Sequence, residues 1–175
     1  ACGPEVLFAD EPTTALDVTV QHQILNLLAE QQRERNMTMI MVTHDLGVVA
    51  GRADEIAAMY AGKIVEMGST IDIFKNPRHP YTVGLMDSVP RLDATEHVRL
   101  STIDGQPPLL IDPIPGCAFE PRCAWAIEKC ASEKPLLEEK EQGHSAACWR
   151  DPRVDEKTRV EQDLHARLAA AGVEG

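Results

Sequence analysis

The stretch Val6-Leu7-Phe8-Ala9-Asp10-Glu11-Pro12 decides the fold, because an unbroken apolar run stops abruptly at two acids and a proline. Such a run predicts a strand that is buried on both faces of a parallel sheet. A second apolar run, Met39-Ile40-Met41-Val42-Thr43, predicts another such strand and ends at His44. Between them, Asp17 is a natural N-cap for one helix that ends at Asn36. This strand–helix–strand order predicts an α/β fold.

The polar residues that follow these strands are the candidate catalytic groups. Ligands of open parallel sheets bind just beyond the carboxyl ends of the strands, where Asp10, Glu11 and His44 are expected. One carboxylate there can hold Mg²⁺ through water, and a second can polarise an attacking water. Taken singly, such an acid pair is often a helix cap or solvated loop, and such a histidine is often a surface residue. Their combination in this order is far more specific and indicates phosphate hydrolysis.

Three motifs carry a family resemblance. Leu7-Phe8-Ala9-Asp10-Glu11-Pro12 resembles the Walker B strand of ATP-binding cassette (ABC) transporter ATPases, Thr14-Ala15-Leu16-Asp17 their D-loop, and Thr43-His44-Asp45 their H-loop. The resemblance implies that Asp10 organises the Mg²⁺ shell through water, that Glu11 is the general base, and that His44 contacts the γ-phosphate of ATP. It also implies that the D-loop, including Asp17, meets a second ATPase subunit across a nucleotide sandwich.

The phosphate-binding loop of such enzymes has no counterpart in these 175 residues, since no G-x-x-x-x-G-K-[ST] motif occurs. Backbone N–H groups that would cradle the phosphates are therefore missing from this chain. We expect the chain to be the C-terminal part of a longer ATPase. Alone, it is expected neither to bind ATP tightly nor to hydrolyse it.

Composition limits the classes of protein and partner. A hydrophobic content of 43% and a charged share of 26% are ordinary for globular proteins. The net charge of −11 argues against non-specific adhesion to nucleic acid or anionic membrane. No apolar stretch approaches the roughly 20 residues of a membrane-spanning helix.

The composition changes near Asn76-Pro77-Arg78-His79-Pro80-Tyr81-Thr82, after a predicted β-hairpin around Ala61-Gly62. This run resembles the boundary at which peptide-importer ATPases begin a C-terminal extension. The predicted domains are residues 1–75, the C-terminal portion of an ABC ATPase with a P-loop NTPase parallel-sheet core, and residues 76–150, a mostly irregular cysteine-rich extension. Residues 151–175 are predicted to be a charged tail.

Four of the five cysteines follow the pattern Cys117-x5-Cys123-x6-Cys130-x17-Cys148. No interval matches the short knuckle of structural zinc sites, yet four thiolates suit either Zn²⁺ or an iron–sulfur cluster if loops bring them together. Reduced thiols without metal are the simpler alternative. The resemblance to dipeptide, oligopeptide and nickel importers implies a [4Fe-4S] cluster on these four residues. Because Arg122 is next to Cys123 in the sequence, we further hypothesise that its charge offsets that of the cluster.

The resemblance implies an enzyme, the ATP-hydrolysing subunit that powers import of di- or oligopeptides. Its implied partners are an identical or homologous second ATPase, two membrane permease subunits and, indirectly, a periplasmic or extracellular peptide-binding protein, with no nucleic acid. The implied location is the cytoplasmic face of a bacterial or archaeal cell membrane. Two alternatives stay open: a non-catalytic docking or redox-sensing role for the cysteine module, and nickel or glutathione as cargo.

Overall fold

A computed structural model describes residues 3–88 and 103–152 as a mixed helix and strand protein. The chain forms two compact units, residues 1–50 and 51–175. The predicted domain bounds at 75 and 150 stay a prediction. Most of the predicted charged tail, residues 153–175, lies outside the described residues.

The first unit contains the predicted strand–helix–strand motif. Its elements are β1 (Val6–Asp10), α1 (Val18–Arg35), β2 (Thr38–Val42) and α2 (Leu46–Val49). The two strands pair in parallel, with Val6 opposite Thr38 and Asp10 opposite Val42. This register places the carboxyl ends of both strands side by side, which is the arrangement that the sequence predicted.

The bounds of α1 follow from its two caps. Asp17 Oδ1 accepts hydrogen bonds from the backbone N–H groups of Thr19 and Val20, at 2.9 and 3.0 Å. Asn36 takes a left-handed conformation with φ 50° at the other end, and its backbone N–H returns to the last turn. Both caps were predicted, because each acts through residues adjacent in sequence.

The prediction that β1 and β2 are buried on both faces is wrong for the described residues. Val6, Phe8, Ile40 and Val42 are 48%, 71%, 43% and 49% exposed. Burial on both faces requires helices on each side of the sheet. Within the described part of the first unit the sheet has two strands, and α1 and the single-turn α2 are too few to enclose it.

The second unit is built on an antiparallel sheet with the order β3-β4-β6-β5. Its strands are β3 (Glu55–Tyr60), β4 (Lys63–Ser69), β5 (Glu138–Glu141) and β6 (His144–Ala146), and its helices are α3 (Thr70–Lys75), α4 (Pro80–Asp87) and α5 (Glu128–Ser132). The predicted hairpin is confirmed: Ala61 and Gly62 have φ 49° and 73°, as a two-residue turn of type I′ requires.

The hairpin formed by β5 and β6 was not predicted. Its first strand is a run of charges, Glu138-Glu139-Lys140-Glu141, which has low β-propensity. Strand β6 pairs with β4, with Glu66 opposite Ala146 and Met67 opposite Ser145. This pairing stabilises a hairpin that the local sequence does not predict. The cysteine-rich region therefore shares one sheet with the β3–β4 hairpin.

An aromatic cluster forms the core of this unit. The Tyr60 ring lies 4.8 Å from Tyr81 and 5.2 Å from Phe119, centroid to centroid. Tyr60 and Phe119 are 6% and 3% exposed. Since these residues come from β3, α4 and the cysteine-rich segment, the three parts are held together by one buried contact set.

Candidate functional site

The acid pair lies where β1 ends and the chain turns. Asp10 is the last residue of β1, and Glu11 takes a left-handed conformation with φ 43°. The backbone N–H of Glu11 donates to the carbonyl of Val42 at the end of β2, at 2.8 Å. This bond fixes the turn at Glu11 to β2 at Val42, two residues before His44.

The Glu11 carboxylate is held on both oxygens. Thr14 Oγ1 donates to Oε2 at 2.6 Å, and Nδ1 of His44 lies 2.8 Å from Oε1. Hydrogen bonding by Thr14 and then by His44 lowers the pKa of the Glu11 carboxyl, and the same contact with Glu11 raises the pKa of His44. An ionised carboxylate can only accept, so Nδ1 carries a hydrogen.

The structure thus brings together two of the predicted catalytic residues, Glu11 and His44, and adds Thr14 as a second partner of Glu11. Both members of the pair remain open to solvent, with side chains 39% and 75% exposed for Glu11 and His44. Because Nδ1 faces the carboxylate, Nε2 is the imidazole atom left to meet a phosphate. The site can therefore accept a proton at Glu11 and contact an anion at His44.

Asp10 and Asp17 have different local roles. Asp10 is exposed at the end of β1, a position from which a carboxylate can reach a hydrated cation. Asp17 is exposed too, but its Oδ1 is already engaged in capping α1. A contact between Asp17 and a second subunit stays a prediction.

The four thiols predicted to act together line one narrow, apolar cavity in the second unit. None of the four is in a disulfide, and Cys130 is buried while the others are partly exposed. The loop is drawn tight by a hydrogen bond from the Cys117 N–H to the Cys130 carbonyl, at 2.8 Å. Gly116 is required beside it, because a Cβ atom there would collide with the Cys130 carbonyl oxygen.

Backbone N–H groups point at the thiols. The sulfur of Cys117 accepts from the backbone of Phe119 and Glu120, that of Cys123 from Trp125, and that of Cys148 from Arg150. Turns whose N–H groups converge in this way form anion-binding concavities, including those of Fe–S sites. The backbone at these cysteines is therefore arranged to stabilise thiolates.

Burial of the thiols opposes their ionisation to thiolates. It raises the pKa of the Cys117 thiol and raises those of Cys123 and Cys148 to about 11, with the neighbouring cysteines adding to the rise. A cationic centre would reverse this preference, since coordination deprotonates a thiol. Within residues 3–88 and 103–152, however, no group of three or more His, Cys, Asp or Glu side chains has the geometry to hold a metal ion.

Two indoles complete the wall of the cavity. Trp125 and Trp149 both line it, and the buried Nε1 atom of each has no hydrogen-bond partner among the described residues. An unsatisfied buried donor costs about 1–3 kcal/mol, and native proteins contain few of them. Neither tryptophan was predicted as a site residue. Their positions were a usable signal, since Trp125 lies two residues after Cys123 and Trp149 directly follows Cys148.

The prediction for Arg122 concerned charge compensation, but its contacts are elsewhere. Its guanidinium donates to the carbonyls of Ile103 and Asp104 and, at 3.2 Å, to the hydroxyl of Tyr60. Arg122 is not among the residues that line the thiol cavity. Its observed role is to fasten the 103–104 segment to the aromatic core.

A buried carboxylate that the sequence did not single out anchors the start of α4. Glu66 is fully buried and accepts hydrogen bonds from the backbone N–H groups of Arg78 and His79, at 2.5 and 2.9 Å. Nε2 of His144 lies 2.7 Å from the same carboxylate. In a strand with alternating pattern, a glutamate looks like a solvent-facing residue, so only the fold reveals this contact.

His79 belongs to the same anchor and also lines the thiol cavity. It is 1% exposed, and its Nδ1 accepts the backbone N–H of Tyr81 as the N-cap of α4. Burial lowers the pKa of His79 to about 4. The imidazole is therefore neutral near pH 7.

Comparison with known proteins places the chain among peptide transporter ATP-binding proteins. The family model for the C-terminal region of oligopeptide/dipeptide transporters matches residues 65–130. The oligopeptide transport ATP-binding protein OppD of Haemophilus influenzae is 53% identical over 148 residues, which are 85% of this chain and 45% of that protein. The dipeptide transport ATP-binding protein DppD of Bacillus subtilis is 51% identical over 148 residues, 85% of this chain and 44% of the relative.

A third relative, the probable peptide ABC transporter ATP-binding protein y4tR of Sinorhizobium fredii, is 49% identical over 154 residues, 88% of this chain and 46% of that protein. The chain thus spans less than half the length of each of these curated relatives. Among the described residues, no helix combines the length and apolar character needed to cross a bilayer. By these matches, the chain belongs to the ATP-binding subunits of peptide ABC transporters and includes their oligopeptide/dipeptide transporter C-terminal region.

Proposed function

We propose that the whole protein of which this sequence is part hydrolyses ATP to drive import of di- or oligopeptides across a bacterial or archaeal cell membrane. The names of the relatives support the class of cargo and the use of ATP. The single observation that carries the chemistry is the 2.8 Å contact between Glu11 and His44 at the ends of two parallel strands.

In the proposed mechanism, Glu11 takes a proton from the attacking water. Its lowered pKa keeps it ionised at neutral pH, and its two hydrogen bonds fix its orientation. His44 contacts the γ-phosphate through Nε2 while Nδ1 holds Glu11. Mg²⁺, bound through water to Asp10, would neutralise charge on the phosphates. Preorganised groups of this kind act by stabilising charge in the transition state.

The rest of the machinery is proposed from the same family membership. The parallel β1–β2 pair would be part of a P-loop NTPase core, with the ATPase portion reaching residue 75 and the extension covering residues 76–150. The loop at residues 14–17 would contact a second ATPase, identical or homologous. Two permease subunits would bind the ATPase pair at the cytoplasmic face of the membrane, with a peptide-binding protein acting indirectly. Nickel or glutathione is the alternative cargo.

The test is the Glu11→Gln variant of the full-length protein, with its partner subunits in proteoliposomes. We expect kcat for ATP hydrolysis to fall about 10²–10³-fold, taking loss of an oxyanion-hole donor as the guide, with peptide uptake falling in parallel. Glu5→Gln, an exposed glutamate just before the same strand, is the matched control and should retain both. Unchanged turnover in Glu11→Gln would refute the assignment.

We also propose that Cys117, Cys123, Cys130 and Cys148 hold a [4Fe-4S] cluster. The fit is supported by four thiols around one cavity, by backbone N–H groups aimed at three of them, and by two buried indoles that lack acceptors. A lone Zn²⁺ is the alternative, and it would need four sulfurs within about 2.3 Å of one point. When bound, a cluster supplies one-electron redox capacity and a cross-link between loops.

The cluster would make the extension a docking or redox-sensing module beside the ATPase, which is the second candidate function. The test is to measure iron and acid-labile sulfide after anaerobic purification of the wild type and of Cys123→Ser. The control is Ser132→Ala, an exposed residue of α5 that does not line the cavity. Equal iron in wild type and Cys123→Ser would end the idea. Zinc in place of iron would favour the alternative.

A further inference from the structure

We propose that the indole N–H groups of Trp125 and Trp149 donate hydrogen bonds to the sulfur atoms of the metal centre in the thiol cavity and thereby set its reduction potential. The inference rests on the proposed cluster and deepens it, because it assigns a role to two residues that are not ligands. Its basis is the pair of orphaned donors on the wall of the same cavity as the four thiols.

The two indole nitrogens that lack hydrogen-bond partners in the described part of the chain belong to residues that line the thiol cavity. Among the described residues, four buried side-chain nitrogen or oxygen atoms lack a hydrogen-bond partner, and two of the four are the indole nitrogens of the tryptophans in this chain. Tryptophan Nε1 can only donate. An acceptor-rich group in the cavity would satisfy both at once.

Of the described residues, Glu120 is the one carboxylate-bearing residue that lines the cavity, and neither indole nitrogen is hydrogen-bonded to it. The other groups that surround the cavity are largely apolar side chains and thiols. A neutral thiol is a weak acceptor. Thiolates and inorganic sulfides on a metal centre carry negative charge, and they are the acceptors that such donors require.

The two tryptophans are held in different ways. Lys129 Nζ lies 3.7 Å from the centroid of the Trp149 ring, a cation–π contact that fixes the face of this indole. Trp125 is held by its own backbone, whose N–H is already bonded to the Cys123 sulfur. Both tryptophans are thus tied to the segments that carry the thiols, Trp149 through its ring face and Trp125 through its backbone.

The consequence is a shift of potential. Hydrogen bonds to cluster sulfurs favour the more negative, reduced form, and they are one of the factors that set the reduction potential of Fe–S centres. Removing one indole N–H should lower the midpoint potential, and removing both should lower it further. The indoles are thus positioning and tuning groups, and the four cysteines remain the ligands.

The experiment uses the full-length protein, purified anaerobically and reconstituted with iron and sulfide, as wild type and as Trp125→Phe, Trp149→Phe and the double variant. Iron and sulfide content is measured first, and the midpoint potential is then measured by redox titration followed by EPR. We expect wild-type iron content and a potential that is lower in each single variant and lowest in the double. Pro135→Ala, which alters the cavity wall without removing a donor, should keep the wild-type potential.

Each outcome is decisive for one proposal. Absence of iron and sulfide from the wild type would refute the cluster itself. Full iron content with an unchanged potential in the double variant would overturn the role of the indoles and leave the cluster standing, as would an equal shift in Pro135→Ala.

If the phenylalanine variants fail to fold, the wild type with ¹⁵N-labelled indole nitrogens supplies a second test. The reduced centre should then show a ¹⁵N hyperfine coupling in pulsed EPR. Its absence would contradict the proposed hydrogen bonds.

Discussion

The two candidate sites differ in how the chain builds them. The Glu11–His44 site is exposed and charged, and it is assembled by a single parallel strand pair within 50 residues. The thiol cavity is buried and, without a bound cation, neutral, and its lining residues run from His79 to Arg150. In the first, the contact between Glu11 and His44 lowers the pKa of the carboxyl and raises that of the imidazole, which favours the charged form of each. In the second, burial disfavours the thiolate form of the cysteines until a bound cation stabilises it.

The two histidines show this difference most directly. His44 is exposed and has a raised pKa because it bonds to Glu11, whereas His79 is buried and has its pKa lowered to about 4. One imidazole is prepared for an anionic ligand, and the other is a fixed part of the protein interior. A site that meets a diffusing nucleotide must stay open, while a site that protects thiols must exclude water.

The largest loss of stability is expected at Glu66, because its buried carboxylate ties three parts of the second unit together. Glu66→Ala leaves two backbone N–H groups and the His144 ring without their acceptor, and loss of one partner in a buried polar set costs about 3–5 kcal/mol. The free energy of unfolding from urea titration measures this. The exposed Glu55→Ala on β3 should cost under about 0.5 kcal/mol; equal losses would show that Glu66 is no anchor.

A smaller loss of stability is expected at Asp17 in the first unit. Asp17→Ala removes the N-cap of α1 and should cost about 1 kcal/mol of stability. Asp17→Asn keeps an accepting side-chain oxygen and should be close to neutral in the same measurement. If Asp17→Asn nevertheless lowers ATPase activity of the full-length protein, the residue also serves the subunit contact proposed for it. A loss of stability as large in Asp17→Asn as in Asp17→Ala would contradict the capping role.

Titration of the two histidines tests the contrast between the two sites without removing any side chain. By NMR, His44 should titrate above 6.5 and His79 well below it. The contact of His44 with Glu11 contributes stability below pH 6.5 that is lost as pH rises through the raised pKa. The burial of His79 has the opposite sign, since its contribution is present above pH 6.5 and is lost as pH falls toward about 4.

The control for this titration is Glu11→Gln, which should return His44 to its ordinary range and leave His79 unchanged. A value for His44 at or below 6.5 in the wild type would mean that the pair with Glu11 does not form in solution.

The sequence by itself determined what depends on neighbours along the chain. Asp17 and Asn36 cap α1, Ala61-Gly62 turns the β3–β4 hairpin, and two acids and a histidine follow two apolar runs. Each works through a few consecutive residues, so propensity and spacing suffice. The position of Glu11 and His44 at one edge of the sheet was predicted as well, because parallel strands bring their carboxyl ends together; their direct contact was not predicted.

Only the tertiary structure decided what depends on distant partners. Glu66 is buried because β6 pairs with β4 and the start of α4 lies on its carboxylate, and no local pattern distinguishes it from a surface glutamate. The exposure of Phe8 on β1 likewise depends on how many elements surround the sheet. The orphaned indoles of Trp125 and Trp149 are the clearest case, since hydrogen-bond satisfaction belongs to the assembled interior and to no single segment.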